Sequence, residues 1–338
     1  MNQIIELSVD DRHDVFNEAG AQLGLPPFYV EKDFWVCWAL RLMFDHETMG
    51  PHLTFRGGTS LSKGWELIER FSEDVDLAMS RDWVDPDLPN PGEAGINTAE
   101  RDRRLRRLRH ACRKAISDNL VPMLEAEVAE LGDGASVVVA SLEKARDPFV
   151  IELHYPKGGL EIPGDYNRAV VKIELSGRAD DWPQQERPIT PYVAEAFPDL
   201  GTWAPIMIAC VEPARTFWEK ASLLHELYTR PDKREIAARQ ARHLYDLVRL
   251  WDHVADEPGL MELFTQVKAH RRAFFSYGWV DYEALGTADL VLVPPTDQLA
   301  AWRADYQAMG PMFSGDPPAF DATIESIKAI QAGLGALH

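Results

Sequence analysis

The chain has 338 residues, of which 46% are hydrophobic and ten are Trp, so it is long and apolar enough for one elaborated domain or about two domains. Its net charge of −19 disfavours broad, nonspecific adhesion to nucleic acid, because phosphate binding needs clustered Lys and Arg. No stretch approaches the roughly 20 apolar residues that cross a bilayer, and the N-terminus lacks a secretory pattern, so we expect a soluble, cytoplasmic protein without membrane contact. Three scattered cysteines without CxxC spacing argue against a disulfide framework and a zinc site.

The first part of the chain predicts a helix and two short strands around a pair of glycines. Apolar residues recur at helical spacing over 28–44, and 52–55 has the composition of a strand. Gly57-Gly58 interrupts this pattern, and the Thr or Ser directly after it would cap a helix that runs through Arg70. Residues 74–79 alternate between polar and apolar, which predicts a strand with one polar face.

A loop, a long helix and three further strands follow. Residues 85–98 are rich in Pro, Gly, Asn and Asp, which predicts a loop. Apolar residues return at helical spacing between Leu105 and Leu120, which predicts a helix over 99–131. The remaining strand candidates are 136–142, 148–155 and 169–175.

The C-terminal part has mostly helical periodicity, which is strongest over 213–228 and 235–252. Residues 180–198 predict a loop that connects two domains. We therefore predict an α/β fold of the α+β kind, with a small mixed sheet and a mostly helical C-terminal domain. The predicted parts are N-terminal helices in 1–50 that pack on the core, a core in 51–180 with the helical insertion 99–131, and a helical domain in 181–338.

Two aspartates and two glycines form the strongest chemical signal. Asp74 and Asp76 are two apart on a predicted strand and therefore project from the same face. Adjacent carboxylates repel each other unless a cation lies between them, and oxygen ligands suit Mg²⁺ that carries substrate phosphates. Glycines let the backbone approach a phosphate, and the amides of a helix N-terminus favour an anion there. The order of strand, glycines, helix and acidic strand predicts a triphosphate clamp, although either motif alone is more simply a turn or a solvated strand edge.

One strongly basic segment interrupts this acidic chain. Residues 101–114 contain eight Lys and Arg against one Asp, a charge of +7, and the remainder of the chain carries −26. The leucines share one stripe of the predicted helix, so most arginines face away from it and few i,i+4 ion pairs are expected. Three interpretations stay open: a solvated face, a dock for an acidic protein, or RNA backbone binding through Arg103, Arg106, Arg107 and Arg113.

The central segment resembles a known protein family. Residues 55–63 (FRGGTSLSK) and 68–77 (IERFSEDVDL) are similar to the AbiEii/AbiGii nucleotidyltransferase toxins of type IV toxin–antitoxin systems. The resemblance covers about residues 20–250 and implies a polymerase-β-like nucleotidyltransferase core followed by a helical region. Further similar pieces are 30–35 (VEKDFW), 171–175 (VKIEL), 217–220 (FWEK) and 242–247 (RHLYDL).

This resemblance assigns roles to individual residues. Asp74 and Asp76 would bind Mg²⁺, with Mn²⁺ as the alternative ion, and Ser60 would contact the triphosphate. Lys220 would neutralise phosphate charge and Asp246 would complete a downstream acidic motif. Both have plainer alternatives, a solvated lysine and an aspartate paired with a neighbouring arginine. Nucleotide contacts are accordingly expected from Gly57, Gly58, Thr59, Ser60, Lys63 and Lys220.

A third carboxylate usually joins the aspartate pair in this fold, and the sequence offers Glu174 or Glu152. In 170–175 the apolar residues share one face and leave Lys172 and Glu174 on the other, whereas Glu152 lies in a more continuously apolar run. We prefer Glu174 as the third catalytic and metal-binding carboxylate. The alternative is a surface glutamate that pairs with Lys172 or Arg178.

The expected function is metal-dependent transfer of a nucleotidyl group from an NTP to RNA, tRNA included, by the toxin of a toxin–antitoxin pair. The cognate antitoxin would be encoded separately, because no second, DNA-binding region is evident. Three alternatives stay open: a noncatalytic nucleotide-binding module, transfer to a protein or small molecule, and an interaction protein whose acidic motif is incidental. A noncatalytic nucleotide-binding module would bind an NTP without releasing pyrophosphate, whereas a transferase would release it. An interaction protein would not bind a triphosphate at all.

Overall fold

The computed structural model describes residues 1–139, 147–156, 160, 168–201, 203–232, 237–313 and 315–336. They form two compact units, and each is described by itself. Unit 1 comprises Met1–Glu66, Arg70–Leu88 and Arg106–Val211, and unit 2 comprises Leu67–Glu69, Pro89–Leu105 and Glu212–His338. The three-part division predicted from the sequence stays a prediction.

Unit 1 is built on one mixed sheet, which has seven strands within the described residues. The strands are β1 (Leu53–Arg56), β2 (Asp74–Met79), β3 (Ser136–Val139), β4 (Phe149–His154), β5 (Val171–Ser176), β6 (Gln184–Ile189) and β7 (Ile206–Val211). Their order across the sheet is β3-β4-β5-β2-β1-β7-β6. The pairs β2–β5 and β1–β7 are parallel, and the other neighbours are antiparallel.

Helices and short helical turns accompany this sheet. The helices are α1 (Asn2–Ile5), α2 (Val9–Leu23), α3 (Pro27–Phe44), α4 (Gly57–Thr59), α5 (Arg81–Val84), α6 (Thr98–Ala115), α7 (Val121–Ala129) and α8 (Tyr192–Ala196). Residues 98–105 of α6 belong to unit 2. A 3-10 turn precedes β1 and π-helical turns follow α4 and α6, at Gly50–His52, Ser60–Gly64 and Ile116–Leu120.

The longest helix before β1, α3, is a core helix. Pro27 occupies its first position, where the missing N–H has no intrahelical partner to lose. Residues on all sides of α3 are buried, and it packs against β5 and β7. A helix that is buried on all sides belongs in a core, so the three consecutive charged residues in its first half, Glu31, Lys32 and Asp33, need partners there.

Unit 2 is helical. After α6 it contains α9 (Pro213–Tyr228), α10 (Arg242–Val254), α11 (Leu260–Phe274), α12 (Leu299–Ala308) and α13 (Phe320–Ala336), with 3-10 turns at Thr287–Asp289, Thr296–Gln298 and Gly310–Met312. Helix α9 packs against α10 and α11, and α10 packs against α13. None of the helices in the described ranges has the length and apolar character needed to cross a membrane.

Strand alternation gives the sheet one apolar face and one polar face. In β4 and β5 every second residue is buried, and the residues between them are partly exposed. In β2 the buried Val75 and Leu77 alternate with the partly exposed Asp74 and Asp76. The polar sides of these three neighbouring strands therefore form one continuous surface.

Two predictions about the C-terminal half of the sheet were wrong. The predicted loop 180–198 contains β6 and α8, and Ile206–Val211, which we expected in a helical region, is β7. Strand β6 is an edge strand with mostly exposed polar residues and a proline, which an edge tolerates, so its sequence lacks alternation. Strand β7 is almost continuously apolar, and periodicity alone does not distinguish such a run from a helix.

The helix predicted after the glycines is shorter than expected. It begins at Gly57 with Arg56 in the N-cap position, and the π-helical turn that continues it ends at Gly64 rather than at Arg70. Glu66 then adopts a left-handed φ of 55°, which stops a right-handed helix. The predicted helix over 99–131 is present as α6 and α7, joined by a π-helical turn.

Candidate active site

The polar face of unit 1 collects charged residues from neighbouring strands. Asp74 and Asp76 project from the same side of β2, because they are two residues apart. In the parallel pair of β2 and β5, Lys172 lies opposite Asp74 and Glu174 lies opposite Asp76. The register therefore brings the two predicted metal ligands beside the preferred third carboxylate, with a lysine as the fourth neighbour.

Lys172 and Glu174 form an ion pair along β5. The pairing considered as the alternative for Glu174 is thus present. Partial burial opposes the charged form of Lys172, but the hydrogen bond to Glu174 and the charges of Asp74 and Asp76 outweigh it and raise the pKa of Lys172 above its ordinary value. Lys172 is therefore charged and lies in the field of several carboxylates.

Glu152 lies one strand further from the aspartates. It is on β4, opposite Lys172, and its two carboxylate oxygens accept hydrogen bonds of 2.6 and 3.0 Å from the guanidinium of Arg168. These hydrogen bonds hold the pKa of Glu152 below its ordinary value. Glu174, rather than Glu152, is thus the direct neighbour of Asp76.

The two glycines lie directly against this face. Gly57 has a φ of 75°, and a Cβ atom at this position would lie 2.1 Å from Oδ2 of Asp76. A Cβ on Gly58 would lie 2.6 Å from Oγ of Ser72 and 2.7 Å from Nη2 of Arg70. Real Cβ atoms do not approach other atoms this closely, so a side chain at either position would have to displace these groups.

The two residues after the glycines hold the turn in place. The hydroxyl of Thr59 donates to the backbone carbonyl of Asp74 at 2.5 Å, which ties the turn to the start of β2. The hydroxyl of Ser60 donates to the carbonyl of Gly57 at 3.1 Å. Both residues are buried, with 1% and 0% exposure, and of these two hydrogen bonds only that of Ser60 is internal to the turn.

Lys63 is committed to an ion pair inside unit 1. Its Nζ lies 2.9 Å from Oδ1 of Asp33 and 3.6 Å from the ring centroid of Tyr192, and its side chain is 7% exposed. The backbone N–H of Tyr192 donates to the other oxygen of Asp33 at 2.6 Å. Burial disfavours the ammonium, but Asp33 outweighs it and raises the pKa of Lys63. Lys63 therefore anchors the segment after the glycines to α3.

A second buried ion pair anchors the start of the acidic strand. Lys32 of α3 pairs with Glu73, the residue before Asp74, and its Nζ also donates to the carbonyl of Arg168 at 2.6 Å. Lys32 is 1% exposed and Glu73 is 7% exposed. Because each neutralises the other, both charges remain inside the core.

The sequence reasoning gave no role to several of these residues. Lys32 and Asp33 lie in the segment 30–35 that resembles the family, and charged residues within a largely apolar helix are a signal for buried ion pairs. Lys172 was considered only as a partner for Glu174, and its position opposite Asp74 depends on strand register. Arg56, directly before the glycines, lies opposite Asp76 on β1.

The oxygen donors of this face suit a hard cation such as Mg²⁺, since Asp74 and Asp76 point the same way. Among the described residues, no three His, Cys, Asp or Glu side chains converge closely enough to hold a metal ion. The register puts Glu174 beside Asp76, but its carboxylate is paired with Lys172. The donor set fits a cation held by two aspartates, and a third ligand requires Glu174 to leave Lys172.

Unit 2 contains the two other predicted site residues, which form an ion pair. Nζ of Lys220 on α9 lies 3.0 Å from Oδ2 of Asp246 on α10 and 3.5 Å from Nδ1 of His243. Asp246 is fully buried, and the Lys220 side chain is 10% exposed. Arg249, considered as an alternative partner for Asp246, pairs instead with Glu69 at 3.4 Å.

The basic helix α6 is more extensively paired than the sequence predicted. Carboxylates outside the basic run reach it: Glu100 binds Arg103 and Arg104, and Asp85 binds Arg107. Arg101, Arg104 and Lys114 have further partners in Asp102, Glu93 and Asp118. Of the four arginines predicted to contact RNA, Arg106 has no ion pair within the described part of the chain and is exposed.

Comparisons with known proteins place this chain in a family. A family model described as "Nucleotidyl transferase AbiEii toxin, Type IV TA system" matches residues 39–326, which is most of the chain. The chain belongs to the AbiEii family. It is accordingly a nucleotidyltransferase toxin of a type IV toxin–antitoxin system, and the resemblance inferred from the sequence is confirmed. The matched range includes the glycine turn, the acidic strand and the pair of Lys220 and Asp246.

A solved structure has a similar fold. MenT4, a nucleotidyltransferase toxin from Mycobacterium tuberculosis H37Rv, aligns with a TM-score of 0.54 and 19% sequence identity. The alignment covers 96% of this chain and 89% of that chain. At this identity the likeness shows the fold alone, and it confirms the predicted class, an α/β core with a mixed sheet and a helical C-terminal region. No curated protein matches the AbiEii chain described here.

Proposed function

We propose that this AbiEii protein transfers a nucleotidyl group from an NTP to an RNA acceptor, tRNA included, and depends on a divalent cation held by Asp74 and Asp76. The observation that carries the proposal is the close approach of the glycine turn to the acidic strand, where a Cβ on Gly57 would lie 2.1 Å from Asp76 Oδ2. A turn without side chains lets the backbone approach the proposed cation ligand, so a phosphate bound to that cation would lie beside the turn. Mg²⁺ is the proposed ion and Mn²⁺ the alternative.

The residues of unit 1 have different proposed roles in this site. Asp74 and Asp76 bind the cation, and Glu174 joins them after it leaves Lys172. Thr59 and Ser60 fix the turn through hydrogen bonds of 2.5 and 3.1 Å, so its backbone faces the triphosphate without reorganising. The cation, when bound, would neutralise phosphate charge and favour deprotonation of the acceptor hydroxyl.

Lys220 and Asp246 supply the second part of the proposal. The family resemblance assigns Lys220 to the phosphates of the nucleotide. Asp246 supports this role because a fully buried carboxylate at 3.0 Å holds the ammonium in place. Replacing Asp246 would therefore weaken nucleotide binding indirectly, because Lys220 would lose the carboxylate that positions it.

The acceptor and the protein partner follow from the family and from the charge pattern. A toxin of a type IV system implies a separate cognate antitoxin as the protein partner. We also propose that the protein is cytoplasmic. An RNA acceptor is supported by the basic helix α6, although ion pairs neutralise much of it. A protein or a small molecule is the alternative acceptor.

The decisive experiment compares wild type with Asp76→Asn, which keeps the size of the side chain but removes its charge. Purified protein is incubated with each labelled NTP, Mg²⁺ and total RNA, and both label transfer and pyrophosphate release are measured. We expect transfer to fall by more than about 100-fold, beyond the usual effect of removing a residue that only supports a ligand. Asp118→Asn, a change at an exposed residue of the π-helical turn between α6 and α7, is the matched control and should retain activity.

Each outcome of this experiment selects one function. Wild-type turnover by Asp76→Asn would show that Asp76 is not a required metal ligand. NTP binding without pyrophosphate release would identify a noncatalytic nucleotide-binding module. Pyrophosphate release with label on a protein or a small molecule, and none on RNA, would overturn the RNA acceptor while retaining the transferase.

A further inference from the structure

Lys220 has a second neighbour on the helix that supplies its carboxylate. His243 and Asp246 are three residues apart on α10, so both side chains lie on the same face of that helix. Helix α9, which carries Lys220, packs against α10. Nζ of Lys220 lies 3.0 Å from Oδ2 of Asp246 and 3.5 Å from Nδ1 of His243. One turn of α10 therefore presents two groups to the same ammonium.

The chemistry of the ammonium fixes the state of the imidazole. An ammonium has three N–H donors and no acceptor, so Nδ1 of His243 accepts in this contact. Accepting requires a lone pair on Nδ1, which leaves the proton of the neutral ring on Nε2. His243 is 8% exposed and Asp246 is fully buried, so both contacts are largely shielded from water. His243 thus contributes an acceptor without a charge, while Asp246 contributes the charge.

A lysine benefits from such a second contact more than an arginine would. Its ammonium is a point charge on a flexible four-carbon stem, whereas a guanidinium is a rigid planar fork. One ion pair sets the distance between the ammonium and Asp246, but the stem could still turn about that contact. A second contact on the same helix face restricts this motion, and a group that is held in advance loses less conformational entropy when a ligand binds.

We infer that His243 is a positioning residue for Lys220: its neutral Nδ1 holds the ammonium in the orientation from which Lys220 contacts the phosphates of the nucleotide. The inference rests on the proposed function, which assigns Lys220 to those phosphates. His243 touches no substrate in this role, and its effect on nucleotide binding passes through Lys220. Loss of the acceptor should therefore weaken nucleotide binding only while Lys220 is present.

Three substitutions of His243 test the position of the acceptor in the whole chain. His243→Leu removes the acceptor and should weaken NTP binding roughly three- to tenfold, the usual net effect of one lost hydrogen bond. Asn carries its amide oxygen close to the place of Nδ1, so His243→Asn should restore most of the affinity. Gln carries its polar group near the place of Nε2, so His243→Gln should not. Dissociation constants for ATP, GTP, CTP and UTP in Mg²⁺ are measured by calorimetry, and melting temperatures show that each variant is folded.

A double-mutant cycle with Lys220→Met decides whether His243 acts through Lys220. If it does, adding His243→Leu to Lys220→Met should cause no further loss of NTP affinity, whereas independent effects would add. The matched control is His253→Leu, because His253 lies on the same helix, its side chain is 45% exposed and its ring is 4.0 Å from Glu257. This control should bind NTP as wild type does.

The results separate failure of this inference from failure of the proposed function. If Lys220→Met weakens NTP binding but His243→Leu does not, or if Gln restores affinity as well as Asn, the positioning role is wrong and Lys220 keeps its role. Additive losses in the double variant would also contradict the positioning role. If wild type binds no NTP, or if Lys220→Met binds NTP as wild type does, the proposed role of Lys220 is wrong and the inference falls with it.

Discussion

At the scale of single residues, the site depends on the missing side chain of a glycine as much as on charged groups. Gly57 has two constraints, a φ of 75° and contact with the Asp76 carboxylate where a side chain would begin. The first makes any other residue strained, and the second leaves no space for one. The sequence motif of two glycines before an acidic strand thus reflects close packing as well as a turn.

Replacing Gly57 by Ala should separate these two constraints when it is compared with Gly132→Ala. Gly132 has a similar φ of 83°, but its Cβ would meet nothing within 4 Å. Gly132→Ala should therefore lower the free energy of unfolding only by the backbone strain, about 1 kcal/mol. Gly57→Ala should lower it further and abolish transfer, because its Cβ displaces Asp76. The free energy of unfolding in urea and the rate of pyrophosphate release measure both effects. Equal destabilisation with normal turnover would refute the packing argument.

Ser60 and Ser62 form a natural pair for testing contact with the nucleotide. Each hydroxyl donates to a carbonyl three residues earlier, at 3.1 Å for Ser60 and 3.2 Å for Ser62. Ser60→Ala should weaken NTP binding by about 0.5–1.5 kcal/mol, the usual net value of one hydrogen bond, whereas Ser62→Ala should not. The dissociation constants of both variants for NTP are measured by calorimetry. An unchanged value for Ser60→Ala would show that this hydroxyl does not contribute to nucleotide binding.

At the scale of elements, α3 holds both ends of the segment that carries the site. Asp33 pairs with Lys63 after the glycine turn, and Lys32 pairs with Glu73 directly before the acidic strand. Two neighbouring residues of one buried helix therefore fix the turn and β2 relative to each other. This gives a physical reason for the charged residues in the buried first half of α3.

Lys32→Met should destabilise the protein strongly, because it leaves Glu73 buried and without its ammonium. Breaking a buried ion pair from one side costs about 3–5 kcal/mol, while replacing both partners by apolar residues is often nearly neutral. The double variant Lys32→Met, Glu73→Leu should therefore recover most of the stability. Urea unfolding of the three proteins tests this, and a single variant that loses less than about 1 kcal/mol would show that the pair contributes little.

Short-range patterns in the sequence predicted the elements that carry the chemistry. The strand over 74–79 has the predicted bounds, β4 lies within its predicted range, and β5 extends one residue beyond its range of 169–175. These strands were predictable because the alternation of polar and apolar residues shows which side faces the core. Strand β6 was missed because an exposed edge strand has no such alternation. The register of β2 and β5, which puts Lys172 opposite Asp74, results from pairing across nearly 100 residues and has no local signal.

At the scale of the whole molecule, charge limits where a polyanion could bind. The chain carries −19, and the basic run that the sequence singled out is largely matched by carboxylates of residues outside it. An RNA backbone would have to replace several of these carboxylates to use the arginines. Binding along α6 is therefore expected to be weak in the absence of other contacts and strongly dependent on salt.

Changing Arg103, Arg106, Arg107 and Arg113 to Gln tests whether α6 binds an RNA backbone. Each lost phosphate contact should lower the slope of log affinity against log salt by about 0.7–0.9, so the variant should bind RNA more weakly and with a flatter slope. Since Arg103 and Arg107 already have carboxylate partners, we expect Arg106→Gln alone to account for a large share of the change. NTP binding should not change, because the carboxylates of β2 are untouched. RNA affinity is measured by filter binding at several salt concentrations.

A control with the same loss of charge shows whether any such change belongs to α6. Arg41, Arg230, Arg303 and Lys328 lie elsewhere, and each has a carboxylate partner. Changing these four to Gln lowers the net charge equally, so a purely long-range effect would flatten the slope by the same amount in both variants. A smaller effect in the control supports contact along α6. Identical slopes in wild type and the α6 variant would exclude RNA binding there, and loss of antitoxin binding with RNA affinity intact would assign the basic helix to the antitoxin.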